Sequence, residues 1–194
     1  MKTICVYCGS SDKTPPVYLD AARQMGRTIA ARGLELVYGA GSTGLMGAVA
    51  NAAMEAGGRV VGVIPHIFNT PRLLHTRLTR LEVVADMHAR KARLAQMADA
   101  FIALPGGFGT LDEFFEILTW AQIGLHQKPI GLLNTHVFFD PLLRWIEHAQ
   151  MEGFIYSEHR RLFSVSDSSE ALLDMLENHA PPANLARWVT RDEE

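Results

Sequence analysis

Short apolar segments alternate with longer amphipathic segments along the whole chain, and this alternation limits the possible folds more than any other feature of the sequence. The apolar segments are continuous runs rich in Val, Ile and Leu, as in strands that are covered on both faces. They predict strands at Thr3–Cys8, Leu34–Tyr38, Arg59–Ile64, Leu81–Ala85, Ala100–Leu104, Ile130–Leu133 and, more weakly, Leu162–Val165. The amphipathic segments predict helices at Pro16–Arg32, Leu45–Ala56, Met87–Ala98, Leu111–Leu125, Phe139–Glu152 and Ser169–Asn178. We therefore expect an α/β fold, a doubly wound (Rossmann-like), mostly parallel sheet of about six to seven strands with helices on both faces.

The same pattern predicts a single domain over residues 1–180. The segment 66–80 interrupts the alternation and is interpreted as an irregular surface loop that could cover a site. Residues 181–194 are polar and contain proline, so we expect a loosely ordered tail, with Trp188 as its one candidate for docking.

Composition and charge argue against several classes of protein. The 18 basic and 21 acidic residues give a net charge of −3 and form no basic tract, which disfavours a nucleic-acid partner. The apolar runs are far shorter than the roughly 20 residues that cross a bilayer, and the N-terminus leads directly into a strand rather than a signal peptide. Two cysteines and scattered histidines offer no metal spacing, and Cys5 and Cys8 should face opposite sides of their strand as buried, inert thiols. The sequence thus predicts a soluble, cytoplasmic protein with no membrane contact and no metal site.

Three glycine-rich loops follow predicted strands: Gly9–Ser11, Gly39–Gly47 and Pro105–Thr110. Ligands of doubly wound sheets bind beyond the carboxyl ends of the strands, where glycine allows backbone N–H groups to approach an anion. One such loop is most simply a tight turn, but three at one edge indicate a phosphorylated ligand. Gly39-x-Gly41-x-x-Gly44 fits the dinucleotide fingerprint, yet the next strand ends without the acidic residue that NAD requires, and no Walker A lysine motif occurs. NAD binding and ATP hydrolysis are therefore disfavoured.

The loop Pro105–Thr110 leads into a helix that carries unusual negative charge. Thr110 and Glu113 fit a capping box, with Thr110 as N-cap, and this would be a purely structural role for Glu113. Asp112 and Glu116 add two more acids within two turns, which packing does not require. At least one of these acids is expected to have a role beyond capping.

The segment Asp86–Arg93 places cations at the wrong end of a helix. With Asp86 as N-cap, Arg90, Lys91 and Arg93 lie in the first two turns, where the helix already carries positive partial charge. A bound anion would explain them. The alternative is an ion pair between Asp86 and Arg90, four residues apart, with the other charges solvated.

At these residues the sequence resembles the LOG ("lonely guy") family of cytokinin riboside 5′-monophosphate phosphoribohydrolases. The family signature Pro-Gly-Gly-x-Gly-Thr-x-x-Glu is matched in full from Pro105 to Glu113. Further matches span residues 3 to about 165: Cys8–Ser11, Gly44–Gly47, Met87–Lys91, Trp120–Gln122 and Lys128–Asn134. The resemblance implies hydrolysis of the N-glycosidic bond of a purine nucleoside 5′-monophosphate, AMP or an N6-modified cytokinin-type AMP, to free base and ribose 5-phosphate.

The resemblance also implies roles for individual residues. Arg90 and Glu113 would be the catalytic pair, and the glycine loop would hold the 5′-phosphate. The residues assigned to substrate binding are Gly41, Ser42, Thr43, Gly44, Met87, Lys91, Gly106, Gly107, Phe108, Gly109, Thr110, Leu111, Asp112 and Thr119. The family is typically homodimeric and uses no metal or organic cofactor, and the helix after Thr110 is apolar around much of its circumference, as at an interface.

Two other functions remain open: a non-catalytic carrier, and a nucleotide-sensing or nucleoside-transferring protein in which water is excluded or replaced. Related folds include non-catalytic carriers of nucleotides or phosphorylated cofactors, which would have no need of Arg90 and Glu113. Proteins of the family are sometimes labelled lysine decarboxylases, a chemistry that requires pyridoxal phosphate on a lysine. The chain has only Lys2, Lys13, Lys91 and Lys128, none with an obvious partner for a pyridine nitrogen, so we discount that label.

Overall fold

The computed structural model describes residues 1–183 and 185, and in this part of the chain seven strands form one parallel sheet. The strands are β1 (Thr3–Tyr7), β2 (Glu35–Tyr38), β3 (Val60–Pro65), β4 (Arg80–Val84), β5 (Ala100–Ala103), β6 (Ile130–Leu133) and β7 (Phe163–Ser166). Their order across the sheet is β4-β3-β2-β1-β5-β6-β7, and every pairing is parallel. The prediction of a doubly wound parallel sheet is confirmed.

Helices cover both faces of the sheet. On one face lie α1 (Pro16–Ala31), α2 (Gly44–Glu55) and α6 (Ser169–Glu177), and on the other α3 (Met87–Met97), α4 (Phe108–Gln122) and α5 (Asp140–Met151). Alternate residues of β1 enter the two cores: Ile4 and Val6 pack on the first face, Cys5 and Tyr7 on the second. This two-sided burial explains why the strands are continuously apolar. Cys5 and Cys8 are buried in opposite cores, as their spacing predicts.

The direction in which successive strands are added to the sheet changes between β1 and β5. From β1 the chain adds β2, β3 and β4 outward on one side, then returns to place β5 against the other side of β1. The loops after β1 and β5 therefore diverge to opposite faces and leave a crevice between them. Such a switch point is where open α/β sheets bind their ligands.

Helix α4 begins three residues before its predicted start. Its N-cap is Gly107, in extended conformation, and the N–H of Leu111 donates to the Gly107 carbonyl at 3.1 Å. Thr110 is thus the third helical residue, and the predicted capping box of Thr110 with Glu113 is wrong. The prediction failed because it assumed an oxygen-bearing side chain at the cap, whereas this helix has no side-chain cap at all.

The segment 66–80 is irregular, as expected, and begins with a short 3-10 helix at His66–Phe68. It is bound to the loop after β2: the N–H of Ser42 donates to the Leu73 carbonyl and the N–H of His75 to the Ala40 carbonyl, both at 2.9 Å. None of its residues lines the large cavity described below. Its backbone groups are used to hold the β2–α2 loop instead.

The predicted tail is described only in part. Pro182 and Leu185 are buried, and Leu185 belongs to the core under α4 and α5. Residue 184 and residues 186–194, with the predicted docking of Trp188, lie outside the described residues.

Candidate active site

A cavity of about 720 Å³ opens at the switch point between β1 and β5. It lies between the loop after β1, the start of α3 and the start of α4. Its lining residues are Cys8, Gly9, Ser10, Ser11, Thr14, Pro15, Tyr18, Leu45, Met46, Met87, Arg90, Lys91, Pro105, Gly106, Gly107, Phe108, Gly109, Thr110, Asp112, Glu113 and Phe138. The size is that of a site for a small molecule.

The two loops at the floor of the cavity touch through their glycines. The N–H of Gly9 donates to the Pro105 carbonyl at 3.1 Å, and a Cβ on Gly9 would lie 3.3 Å from Cα of Gly106. A Cβ on Gly106 would collide with Thr110 and would lie 2.9 Å from the Gly9 nitrogen. Glycine at both positions therefore lets the ends of β1 and β5 approach closely and sets the width of the crevice.

The start of α4 presents backbone donors to the cavity. Because the first intrahelical bond reaches Leu111, the N–H groups of Phe108, Gly109 and Thr110 have no acceptor within the helix, and no side chain caps them. The helix dipole adds positive partial charge at the same place. This end of the cavity is built to receive an anion such as a phosphate.

Arg90 and Glu113 form a buried ion pair in the cavity. Nη2 of Arg90 donates to Oε1 of Glu113 at 3.0 Å, and the two side chains are only 13% and 11% exposed. Asp86 is the N-cap of α3, as predicted, since its Oδ1 accepts from the Ala89 N–H at 2.8 Å. The alternative pairing of Asp86 with Arg90 is wrong, because the Arg90 side chain reaches across to α4.

Gly39, directly after β2, makes room for the Arg90 guanidinium. A Cβ at this position would collide with Nη2 of Arg90 and would lie 2.8 Å from its Cζ. It would also lie 2.7 Å from Cε of Met46. The first glycine of the apparent dinucleotide fingerprint thus makes room for an arginine side chain of the protein.

Burial raises the pKa of Glu113 to about 7. The positive charge of Arg90 opposes this shift, while the nearby carboxylates of Asp112 and Glu116 reinforce it. A carboxyl with such a pKa is present in both protonation states near neutral pH, which suits a group that takes part in proton transfer.

Lys91 binds the two acids on either side of Glu113. Its Nζ lies 3.1 Å from Oδ2 of Asp112 and 3.0 Å from Oε1 of Glu116. Burial lowers the pKa of Lys91, but the hydrogen bonds and charges of the two carboxylates outweigh it and hold the pKa above its ordinary value. Lys91 is therefore a fixed positive charge next to the pair of Arg90 and Glu113.

Of the middle glycine loop, Gly39–Gly47, the structure brings only Leu45 and Met46 into the lining of this cavity. The N–H of Gly44 donates to Asp12 at 3.1 Å, the N–H of Leu45 donates to the Gly9 carbonyl at 2.9 Å, and the Thr43 hydroxyl donates to the Ser10 carbonyl at 2.8 Å. These donors are used to hold the loop after β1. The residues assigned to substrate binding that lie outside the cavity lining are Gly41, Ser42, Thr43, Gly44, Leu111 and Thr119, of which Ser42, Thr43 and Gly44 line a second cavity of about 320 Å³.

Sequence reasoning missed an apolar wall of the cavity. Tyr18 of α1 and Phe138, before α5, meet edge to face with ring centroids 5.6 Å apart. Phe138 follows a tight turn in which His136 and Val137 have φ of 51° and 53°. The glycine motifs carry no signal for this wall, because it comes from two elements distant in sequence.

Metal and membrane signals are both lacking in the described residues. No group of three or more His, Cys, Asp or Glu side chains there is arranged to hold a metal ion. Across the same residues, no helix has both the length and the apolar character needed to span a bilayer.

Comparison with known proteins identifies one family model and several relatives that match most of this chain. Residues 46–176 match the model of a family described as "Possible lysine decarboxylase". The cytokinin riboside 5′-monophosphate phosphoribohydrolase of Rhodococcoides fascians is 54% identical over 155 residues, 79% of this chain and 78% of that protein. The enzyme of the same name, LOG, from Oryza sativa subsp. japonica is 46% identical over 180 residues, 93% of this chain and 74% of that protein.

Among solved structures, the molybdenum cofactor binding protein of Rippkaea orientalis superposes with a TM-score of 0.69. It is 24% identical in sequence, and the match covers 92% of this chain and 97% of that one. At this level of identity the likeness establishes the fold alone.

Proposed function

The chain belongs to the LOG family, and on that basis we propose that it hydrolyses the N-glycosidic bond of a purine nucleoside 5′-monophosphate. The products would be the free base and ribose 5-phosphate. The substrates would be AMP, an N6-modified cytokinin-type AMP, or both.

One observation carries the proposal: the buried pair of Arg90 and Glu113 lies in the same cavity as the uncapped start of α4. A buried ion pair costs desolvation energy and is weak evidence for a stabilising role. Its place beside an anion site supports a chemical role instead. The phosphate would bind the free N–H groups of residues 108–110 and bring the ribose of the same nucleotide to the pair.

A carboxylate near C1′ of the ribose would favour cleavage of the N-glycosidic bond. As the bond from C1′ to the base nitrogen breaks, positive charge develops on the ribose, as it does in glycoside hydrolysis. The Glu113 carboxylate would stabilise this charge and accept a proton from the water that attacks C1′. The base leaves with the bonding electrons and takes up one proton from solvent, and Glu113 returns the proton of the attacking water to solvent, so that one water is consumed and the protons balance. Arg90 would hold Glu113 in place and favour its ionised form.

The direct test is incubation of the purified protein with AMP and with isopentenyladenosine monophosphate, followed by chromatography of the free base. We expect base release from one or both nucleotides and far less from adenosine or isopentenyladenosine, because the nucleosides leave the start of α4 empty. Equal rates with nucleotides and nucleosides would contradict the assigned phosphate site.

Two substitutions test the pair itself. Glu113→Gln and Arg90→Ala should each lower the rate of base release at least about 100-fold, within the range for loss of a positioned acid or base. The exposed Glu147 of α5 offers a matched control, since Glu147→Gln also removes one carboxylate but lies outside the cavity. Near-normal turnover of a folded Glu113→Gln protein would contradict the catalytic assignment.

A carrier of nucleotides or phosphorylated cofactors is the second candidate, favoured by the shared fold of the Rippkaea orientalis protein. The buried Arg90–Glu113 pair argues for the enzyme, because binding alone does not require it. Nucleotide that binds without any release of base would favour the carrier.

Lysine decarboxylation, the chemistry in the family description, fits the site poorly. Among the described residues, the cavity lining contains one lysine, Lys91. Asp112 and Glu116 hold its amine in the charged form. A lysine that forms a Schiff base must reach the neutral amine. The arrangement opposes that step.

We further propose that the protein is a homodimer. Large apolar side chains are exposed on and after α4 and α5: Ile123, Leu125, Trp145, Met151 and Phe154. Exposed apolar groups in such number are typical of an interface. Light scattering at micromolar concentration should give twice the mass of one chain, and a monomer there would contradict the assignment.

A further inference from the structure

Glu113 lies among unequal numbers of positive and negative charges. Two turns of α4 carry three acids, Asp112, Glu113 and Glu116, while α3 brings two of its three cations to them, the third, Arg93, being paired with Glu82 of β4. Arg90 binds Glu113 at 3.0 Å, and Lys91 binds Asp112 at 3.1 Å and Glu116 at 3.0 Å. Each cation therefore has its own acidic partners, and Lys91 balances the two that are not paired with Arg90.

The bonds of Lys91 are unlike those of an ordinary surface lysine. Its side chain is only 12% exposed, so the ammonium has given up most of its water for two carboxylates. Asp112 and Glu116 are four residues apart and share one side of α4, where a single ammonium can reach both. The ammonium of Lys91 is therefore already engaged by two carboxylates of the protein.

We propose that Lys91 is a positioning residue for Glu113: by neutralising Asp112 and Glu116, it sets the charge around Glu113 and thereby the pH range in which the enzyme works. The inference rests on the proposed hydrolase function. It assigns Lys91 a task that is distinct from contact with the substrate.

The charge around Glu113 is set by ionisable side chains of α3 and α4. The ionisable groups that act on Glu113 from the elements packed around it are Arg90 and Lys91 of α3, Asp112 and Glu116 of α4, Cys5 and Tyr7 of β1, and Cys8. Burial raises the pKa of the two thiols and the phenol well above the ordinary range, so these three stay neutral at working pH. Only the cations of α3 and the acids of α4 contribute charge.

Removal of Lys91 should raise the pKa of Glu113 for two reasons. It takes away a positive charge that favours the ionised carboxylate and leaves Asp112 and Glu116 as uncompensated negative charges. Both changes raise the pKa of Glu113. Neutral amides at positions 112 and 116 should reverse the second of them.

The first test follows the Glu113 carboxyl without substrate, by difference infrared spectroscopy of each protein against its Glu113→Gln counterpart. Lys91→Met should raise the titration midpoint by about one unit, whereas Lys91→Arg should leave it close to that of the original protein. The triple variant Lys91→Met/Asp112→Asn/Glu116→Gln should bring the midpoint most of the way back. An unchanged midpoint in folded Lys91→Met protein would overturn the proposal. If that variant does not fold, Asp112→Asn/Glu116→Gln with Lys91 retained should lower the midpoint, and an unchanged midpoint there would overturn the proposal equally.

The second test is the pH profile of kcat/KM. The acidic limb should move to higher pH in Lys91→Met and return in the triple variant. If Lys91 serves only to bind phosphate, KM will rise at every pH and the triple variant will not recover, which would also overturn the proposal. A failure of the hydrolase assignment itself would appear as absent base release in the unaltered protein, while the infrared titration would still be readable.

Discussion

At the scale of single residues, the addition of one carbon atom at Gly39 should lower activity and leave the stability of the protein almost unchanged. A Cβ there collides with the Arg90 guanidinium, which is the flexible end of its side chain and can move aside at little cost to folding. Such a move takes the guanidinium away from Glu113. We expect Gly39→Ala to lower the rate of base release at least about tenfold, since a misplacement of about 1 Å can cost on the order of 100-fold.

Gly41→Ala is the matched control for this experiment. A Cβ at Gly41 would lie 2.9 Å from Sδ of Met46, and its three nearest atoms all belong to Met46, so it reproduces the displacement of Met46 without the collision with Arg90. Enzyme assays and urea denaturation of both variants should show similar stabilities and a much larger loss of activity for Gly39→Ala. Equal losses of activity would mean that Met46, rather than Arg90, is the sensitive group.

At the scale of secondary-structure elements, the start of α3 should matter for both stability and activity. The Asp86 carboxylate caps this helix one turn before Arg90. Loss of such a cap typically costs about 1 kcal/mol. We therefore expect Asp86→Ala to lower the free energy of unfolding by about that amount and to reduce base release as well, because the turn that carries Arg90 loosens.

Ser168 supplies the control for this effect. Its hydroxyl caps α6 in the same way, by accepting from the Ala171 N–H at 3.3 Å, but α6 does not line the cavity. Ser168→Ala should cost a similar free energy in urea denaturation without loss of activity. If both variants lost activity alike, the decrease would reflect general destabilisation.

The turn before α5 holds a strained residue. Val137 has φ of 53°, a left-handed conformation that a β-branched side chain strongly disfavours, by roughly 1–2 kcal/mol. We expect Val137→Gly to raise the free energy of unfolding by up to about 1 kcal/mol, part of the relief being offset by the greater freedom of glycine in the unfolded chain. The exposed Val17 of α1 is the control, because Val17→Gly removes the same side chain from ordinary helical backbone and should destabilise.

The sequence predicted the elements themselves well and their contacts poorly. Continuous apolar runs identified β1 and β6 to within a residue, since two-sided burial leaves a direct mark on composition. The start of α4 was misplaced because an N-cap glycine has no polar side chain to reveal it. The segment 66–80 and the apolar wall of Tyr18 and Phe138 depend on contacts between distant parts of the chain, which local pattern does not encode.

At the scale of the whole molecule, the position of the cavity could be predicted but the use of its glycines could not. Glycine loops after parallel strands must meet at one edge, and the strand order places the first and third beside each other at the switch point. The second loop is equally rich in glycine, yet its N–H groups bind Asp12 and the Gly9 carbonyl. Sequence alone does not distinguish a glycine that meets a ligand from one that meets the protein.

The buried Glu113 should also make the stability of the whole protein depend on pH. Burial raises the pKa of Glu113 from its ordinary 4.5 to about 7 in the folded protein, so between these values the folded state binds more protons than the unfolded state. The stabilisation by protonated Glu113 is complete below pH 4.5 and is lost as the pH rises through about 7. A shift of this size corresponds to about 3 kcal/mol.

Glu113→Gln removes this titration and should change the pH dependence accordingly. Between pH 4.5 and pH 8 we expect the unaltered protein to lose about 3 kcal/mol of unfolding free energy relative to Glu113→Gln, whatever constant offset the unpaired Arg90 adds. Urea denaturation of both proteins across this range, at one protein concentration, measures the difference, and other titrating groups cancel from it. Glu147→Gln, which removes an exposed carboxylate, is the matched control. A difference between the unaltered protein and Glu113→Gln that does not vary with pH would show that Glu113 keeps its ordinary acidity in the folded protein, and would remove the basis for its role in proton transfer near neutral pH.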